Sequence, residues 1–138
     1  MTVYNSSSVE ETEALACEFA KTLKGGDVVA LFGGLGAGKT AFVRGLCRGL
    51  GIDDDVSSPT FALVHEYGKK TRLCHFDMYR INSFDDLYST GFYDYLDSGA
   101  ILAVEWSENI ESFLPDGAIR IDISRGAGDN ERIITVCR

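Results

Sequence analysis

The sequence predicts an α/β fold, and three observations carry that expectation. Residues 28–50 read as strand, glycine-rich loop and helix in direct succession. Residues 100–106 read as a second buried strand, one that ends in a carboxylate. Residues 61–79 and 118–136 read as β-rich runs folded back on themselves in hairpins. Strand and helix periods thus alternate along the chain, the pattern of a sheet covered by helices.

With 138 residues, 45% hydrophobic and 25% charged, the chain is expected to form one domain with a real core. The net charge of −8 argues against direct, sequence-specific nucleic-acid binding, which needs a basic face. Cys17, Cys47, Cys74 and Cys137 show no metal-ligand spacing and no Cys-x-x-Cys. They read as small buried hydrophobes in a reducing compartment. No signal-peptide pattern and no apolar run of transmembrane length occurs, so a cytoplasmic protein without membrane contact is expected.

In chain order, residues 1–7 read as a strand or arm. Ser8 and Glu11 form a capping box. Leu15, Ala16, Phe19, Ala20 and Leu23 make one helical stripe, closed by Gly25-Gly26. Val28–Phe32 is a short apolar strand.

Gly33-Gly34-Leu35-Gly36-Ala37-Gly38-Lys39-Thr40 then matches Gly-x-x-x-x-Gly-Lys-Ser/Thr, the phosphate-binding P-loop. Glycine-rich backbone can aim several N–H groups into one concavity, and the following helix adds its positive dipole end. Lys39 can reach β- and γ-phosphates, and the Thr40 hydroxyl is placed for Mg²⁺. Ala41 follows in the first helical turn. Phe42, Val43, Leu46, Cys47 and Leu50 carry the helix, and Gly51 stops it.

Asp53-Asp54-Asp55 reads as a solvated acidic loop, because neighbours on an extended chain point in alternating directions. Ser57-Ser58-Pro59-Thr60-Phe61 is a defined loop leading into a strand from Phe61 to Tyr67, with a turn at Gly68. By analogy with other P-loop proteins, Thr60 could contact Mg²⁺ and the γ-phosphate. Arg72–Tyr79 is the returning strand, with Leu73, His75, Asp77 and Tyr79 on one face. Spacing leaves two roles open there: Asp77 as a metal or water ligand, or a structural His75–Asp77 hydrogen bond.

Ser83 and Asp86 start a helix that Gly91 breaks in two, with Phe84, Tyr88, Phe92 and Tyr95 as an aromatic cluster that reads either as core or as an exposed partner surface. Ala100–Trp106 has the form of a Walker B strand, its acid being Glu105. A short helix over Ser107–Leu114 precedes the closing hairpin, Ala118–Ile123 and Arg132–Val136.

Together the blocks Leu35–Thr40, Ser58-Pro59-Thr60-Phe61, Glu66-Tyr67, His75-x-Asp77-x-Tyr79-Arg80 and Glu105-Trp106 resemble the TsaE (YjeE) family over roughly residues 8–124. That family comprises the small P-loop ATPases of bacterial tRNA threonylcarbamoyladenosine synthesis. Ser107 stands where the family commonly has proline. The resemblance implies a P-loop NTPase-like, mixed, partly antiparallel sheet flanked by helices, with residues 1–138 as a single ATPase domain. It implies ATP bound by Gly33–Ala41 and Thr60, and Mg²⁺ held by Thr40, Glu105 and Asp77. Lys39, Asp77 and Glu105 would be the catalytic groups. It further implies TsaD and TsaB as partners in modifying adenosine-37 of tRNA. A small-molecule kinase and a nucleotide-gated binding module with little turnover are the alternatives. No Asn-Lys-x-Asp motif supports a GTPase, and Arg80 is the cis candidate for an arginine finger.

Overall fold

The computed structural model describes residues 1–34, 36–59, 63–69 and 72–138. The elements in chain order are β1 (Thr2–Ser6), α1 (Val9–Ala20), β2 (Val28–Phe32), α2 (Lys39–Gly49), β3 (Val64–Tyr67) and β4 (Leu73–Asp77). Then come α3 (Phe84–Ser89), α4 (Phe92–Leu96), β5 (Ile101–Glu105), a 3₁₀ helix (Ser107–Phe113), β6 (Ile119–Arg125) and β7 (Arg132–Cys137).

Seven strands form one mixed sheet in the order β1-β7-β6-β2-β5-β4-β3. The central four, β6, β2, β5 and β4, run parallel. The flanking pairs β1–β7, β6–β7 and β3–β4 are antiparallel. Every residue of β2, β4 and β5 is buried, as expected of strands covered on both faces. This is the P-loop NTPase-like α/β fold the sequence predicts. It aligns the carboxyl ends of β2, β5 and β4 along one rim, where ligands bind in such sheets.

One face packs Leu31, Val29 and Ile121 against Phe42, Val43 and Leu46 of α2 and against α1. The helices approach closely because Gly45 and Gly49 present no side chain. A Cβ on Gly45 would lie 2.3 Å from Glu13 O, and one on Gly49 2.3 Å from Cys17 O. The opposite face packs Phe76, Met78 and Val104 against Leu87 and Phe92.

Several local expectations are refined. Ser8 caps α1 by accepting the Glu11 N–H, but the Glu11 carboxylate reaches the Ser7 N–H (2.6 Å) rather than that of Ser8. Helix α1 ends at Ala20, before Gly25-Gly26, because Lys21 to Leu23 tighten into i→i+3 turns. The strand expected from Phe61 is described only from Val64, and Leu63 takes φ +67°, which no strand allows. Residues 107–113 form a 3₁₀ rather than an α helix, kinked at Ile110. Gly91, at φ +81°, separates α3 from α4 as expected. Asp53, Asp54 and Asp55 are exposed. Cys47 and Cys74 are buried, Cys17 and Cys137 half-buried, and all four are free. No helix among the described residues is long and apolar enough to cross a membrane.

Candidate active site

The site forms where β2 hands over to α2. Gly38 caps α2 at φ +106°, a left-handed conformation that glycine adopts without steric cost. The helix carries no acid of its own in its first turn to offset its positive end. Gly36, Ala37, Gly38, Lys39, Thr40 and Ala41 line one side of a cleft of about 620 Å³. Asp77, at the end of β4, and Glu105, at the end of β5, line the same cleft. They sit opposite each other in the parallel register.

Lys39 is buried. Its ammonium donates to the carbonyls of Gly33 and Gly34, the latter at 3.2 Å, and lies 3.9 Å from the centre of the Trp106 ring. Burial lowers its pKa from the ordinary lysine value, against the opposing pull of Glu105, Glu108 and Asp77. Trp106 adopts φ +58°, ψ +41°, a conformation costing a bulky residue about 1–2 kcal/mol. That turn sets its ring beside Tyr79, 5.0 Å between centroids, and under Lys39.

The Thr40 hydroxyl donates to Glu105 Oε2 at 3.0 Å. The same oxygen meets His75 Nε2 at 2.5 Å. An ionised carboxylate only accepts, so Nε2 carries the proton. His75 Nδ1 is buried and has no partner among the described residues. Asp77 is held differently. Its Oδ1 accepts from the Tyr79 N–H at 2.9 Å and its Oδ2 from the Ser58 hydroxyl at 3.4 Å. The His75–Asp77 bond that strand spacing allowed therefore does not form. His75 reaches across to the neighbouring strand instead.

A profile of the family described as "Threonylcarbamoyl adenosine biosynthesis protein TsaE" matches residues 6–134. The chain belongs to the TsaE family. It is 44% identical over 127 residues to the tRNA threonylcarbamoyladenosine biosynthesis protein TsaE of Bacillus subtilis, covering 91% of this chain and 78% of that one. The TsaE of Treponema pallidum is 37% identical over 131 residues, 95% and 96% of the two chains. Among solved structures, that of YdiB from Bacillus subtilis superposes with a TM-score of 0.80 at 38% identity, over 98% of this chain and 83% of that one.

In this TsaE-family chain the structure gathers Gly36, Ala37, Gly38, Lys39, Thr40, Ala41, Asp77 and Glu105 around one cleft. Gly33 and Gly34 line an adjoining cleft with Glu108 and Arg125. Leu35 and Thr60 lie outside the described residues. Arg80 is exposed, next to the exposed Tyr79.

Three contacts escaped the reading of the sequence. Glu108 Oε2 accepts the Gly33 N–H at 3.0 Å. The Asn109 amide donates to Met78 O at 2.8 Å and Tyr79 O at 3.1 Å, tying the segment after Glu105 to the segment after Asp77. Arg132, the first residue of β7, donates from Nε to Ala37 O at 2.9 Å and from a terminal nitrogen to Gly36 O at 3.3 Å. Its other terminal nitrogen is held by Asp129 O and Glu131 O, both at 2.8 Å. Arg132 itself lines the cleft, and it fixes the carbonyls of Gly36 and Ala37 in place there. No motif marks Arg132, because its partners lie 95 and 96 residues away.

Proposed function

We propose that this chain is a single-domain ATPase that binds ATP with Mg²⁺ and serves threonylcarbamoyladenosine modification of tRNA at adenosine-37, together with TsaD and TsaB. The observation that carries this reading is the convergence of Lys39, Thr40, Asp77 and Glu105 on one cleft at the carboxyl ends of adjacent strands. The names of the relatives support the pathway. The chemistry is in-line attack of water on the γ-phosphoryl group.

Each residue has a distinct task. The Gly36–Ala41 backbone and the start of α2 bind the phosphates. Lys39 exchanges its loop carbonyls for phosphate oxygens and so places a positive charge where negative charge develops. Thr40, Glu105 and Asp77 offer hydroxyl and carboxylate oxygens, the donor set Mg²⁺ takes when phosphates and water supply the rest. The Thr40–Glu105 contact already brings two of these donors together. An Mg²⁺ ion held by Thr40, Glu105 and Asp77 would supply charge neutralisation for the phosphoryl group. Glu105 and Asp77 also order the attacking water. A cytoplasmic location accords with tRNA modification, and the acidity fits a role through protein partners rather than direct contact with tRNA.

The test is ATP turnover by the purified chain, alone and with the TsaD–TsaB complex. Slow turnover that rises with the complex, and that Lys39→Ala abolishes, is expected. Turnover unaffected by Lys39→Ala removes the ATPase reading. Turnover indifferent to the complex removes the partnership.

A further inference from the structure

The acidic charge of this chain is not spread evenly. Residues 81–119 contain eight acidic residues and no lysine or arginine, whereas the rest of the chain holds thirteen of each sign. The whole net charge of −8 therefore arises from this one segment. Of the eight acids only Glu105 belongs to the cleft's carboxylate pair. Asp85, Asp94, Asp97 and Asp116 are exposed, and no cation pairs with them among the described residues.

The same segment carries exposed aromatic rings. Tyr88 is 67% exposed, Phe84 47% and Phe113 37%. They form one patch, since Phe84 lies 5.5 Å from Phe113, 6.1 Å from Tyr88 and 6.0 Å from Tyr93, centroid to centroid. A contiguous aromatic patch, carried by a segment with four unpaired exposed carboxylates and no cation, is the complement of a lysine- and arginine-bearing protein face. Guanidinium and ammonium groups pair with the carboxylates and lie on the rings. The same charge repels nucleic-acid phosphates.

We infer that the α3–α4 and 3₁₀-helix face is the docking surface for a basic protein face. The inference rests on the proposed role beside TsaD and TsaB and adds which surface of this chain meets them. Its place in the fold gives it a consequence for the site. Helix α3 follows β4, which ends in Asp77, and the 3₁₀ helix follows β5, which ends in Glu105. Asn109 joins the two exits. A protein seated there bears on both carboxylates at once, with no need to enter the cleft.

Binding of the purified TsaD–TsaB complex by the full chain tests this. The double variant Asp85→Lys/Tyr88→Ala is expected to bind at least tenfold more weakly. ATP affinity of the isolated variant stays at the wild-type value, which shows that it is folded. Wild-type binding weakens as NaCl rises from about 50 to 300 mM, and the variant loses most of that dependence. Glu10→Lys on α1, an equal charge change elsewhere, leaves binding intact. Wild-type affinity in the double variant, or equal loss in Glu10→Lys, overturns the surface while leaving the partnership standing. A wild-type chain that does not bind the complex overturns both. Binding of free tRNA that the double variant abolishes would assign the face to RNA and overturn the protein occupant.

Discussion

His75 and Glu105 meet at 2.5 Å inside the sheet, and Glu105 also accepts from Thr40 through the same oxygen. One buried imidazole on β4 thus orients the acid at the end of β5 toward the first turn of α2. Residues that orient a metal-binding carboxylate typically matter by 10–100-fold. His75→Ala is expected to lower ATP turnover by about that factor and to weaken Mg²⁺ dependence, with a smaller change in ATP affinity. His75→Gln, which keeps a donor, should recover part of the loss. Equal turnover in His75→Ala and wild type would show that Glu105 needs no such support.

Arg132 makes a second, independent prediction. Arg132→Ala frees the carbonyls of Gly36 and Ala37, so the P-loop loses a tether. Each charge-assisted hydrogen bond is worth about 1.5–3 kcal/mol, and ATP affinity should fall by about tenfold or more. Arg132→Lys should rescue little, because an ammonium lacks the guanidinium fork that reaches four carbonyls from three nitrogens. Isothermal titration with ATP decides it, and unchanged affinity would make the tether irrelevant to binding.

The α1–α2 contact predicts a purely structural effect. Gly45→Ala and Gly49→Ala place a methyl group where backbone carbonyls stand at 2.3 Å. Overpacking of this kind costs about 1–3 kcal/mol, read as a lower urea midpoint at unchanged slope. In an exposed helix the same change would stabilise, so a rise in the midpoint would refute the close approach.

Thiol chemistry separates the four cysteines. Burial pushes the Cys47 thiol up to about 12 and raises that of Cys74. Both therefore stay protonated at pH 8, and stability gains nothing from their ionisation below that pH. An aromatic disulfide reagent should label Cys17 and Cys137 first, and Cys47 and Cys74 only on unfolding. Rapid labelling of all four in the native protein would contradict the packing.

What could be read from the sequence was local. Val28–Phe32 and the P-loop helix announce themselves through contiguous motif and period, and Glu105 through an apolar run that stops at an acid. What could not be read depends on which strands become neighbours. His75 turns to Glu105, thirty positions away, only because β4 lies beside β5. Arg132 reaches Ala37 only because β7 packs beside β6, next to β2. The early end of α1 escaped for a different reason. Leu23 keeps the apolar spacing after the backbone has already tightened out of the α conformation.

The strand order also sets a schedule for synthesis. Strand β1 pairs only with β7, and the P-loop is tethered by the first residue of β7. A nascent chain therefore presents its phosphate loop well before its tether. Until Arg132 leaves the ribosome, β1 has no strand to join and the loop carbonyls have no guanidinium. On a ribosome the loop is therefore made untethered, and its two carbonyls are tied down only once β7 has followed.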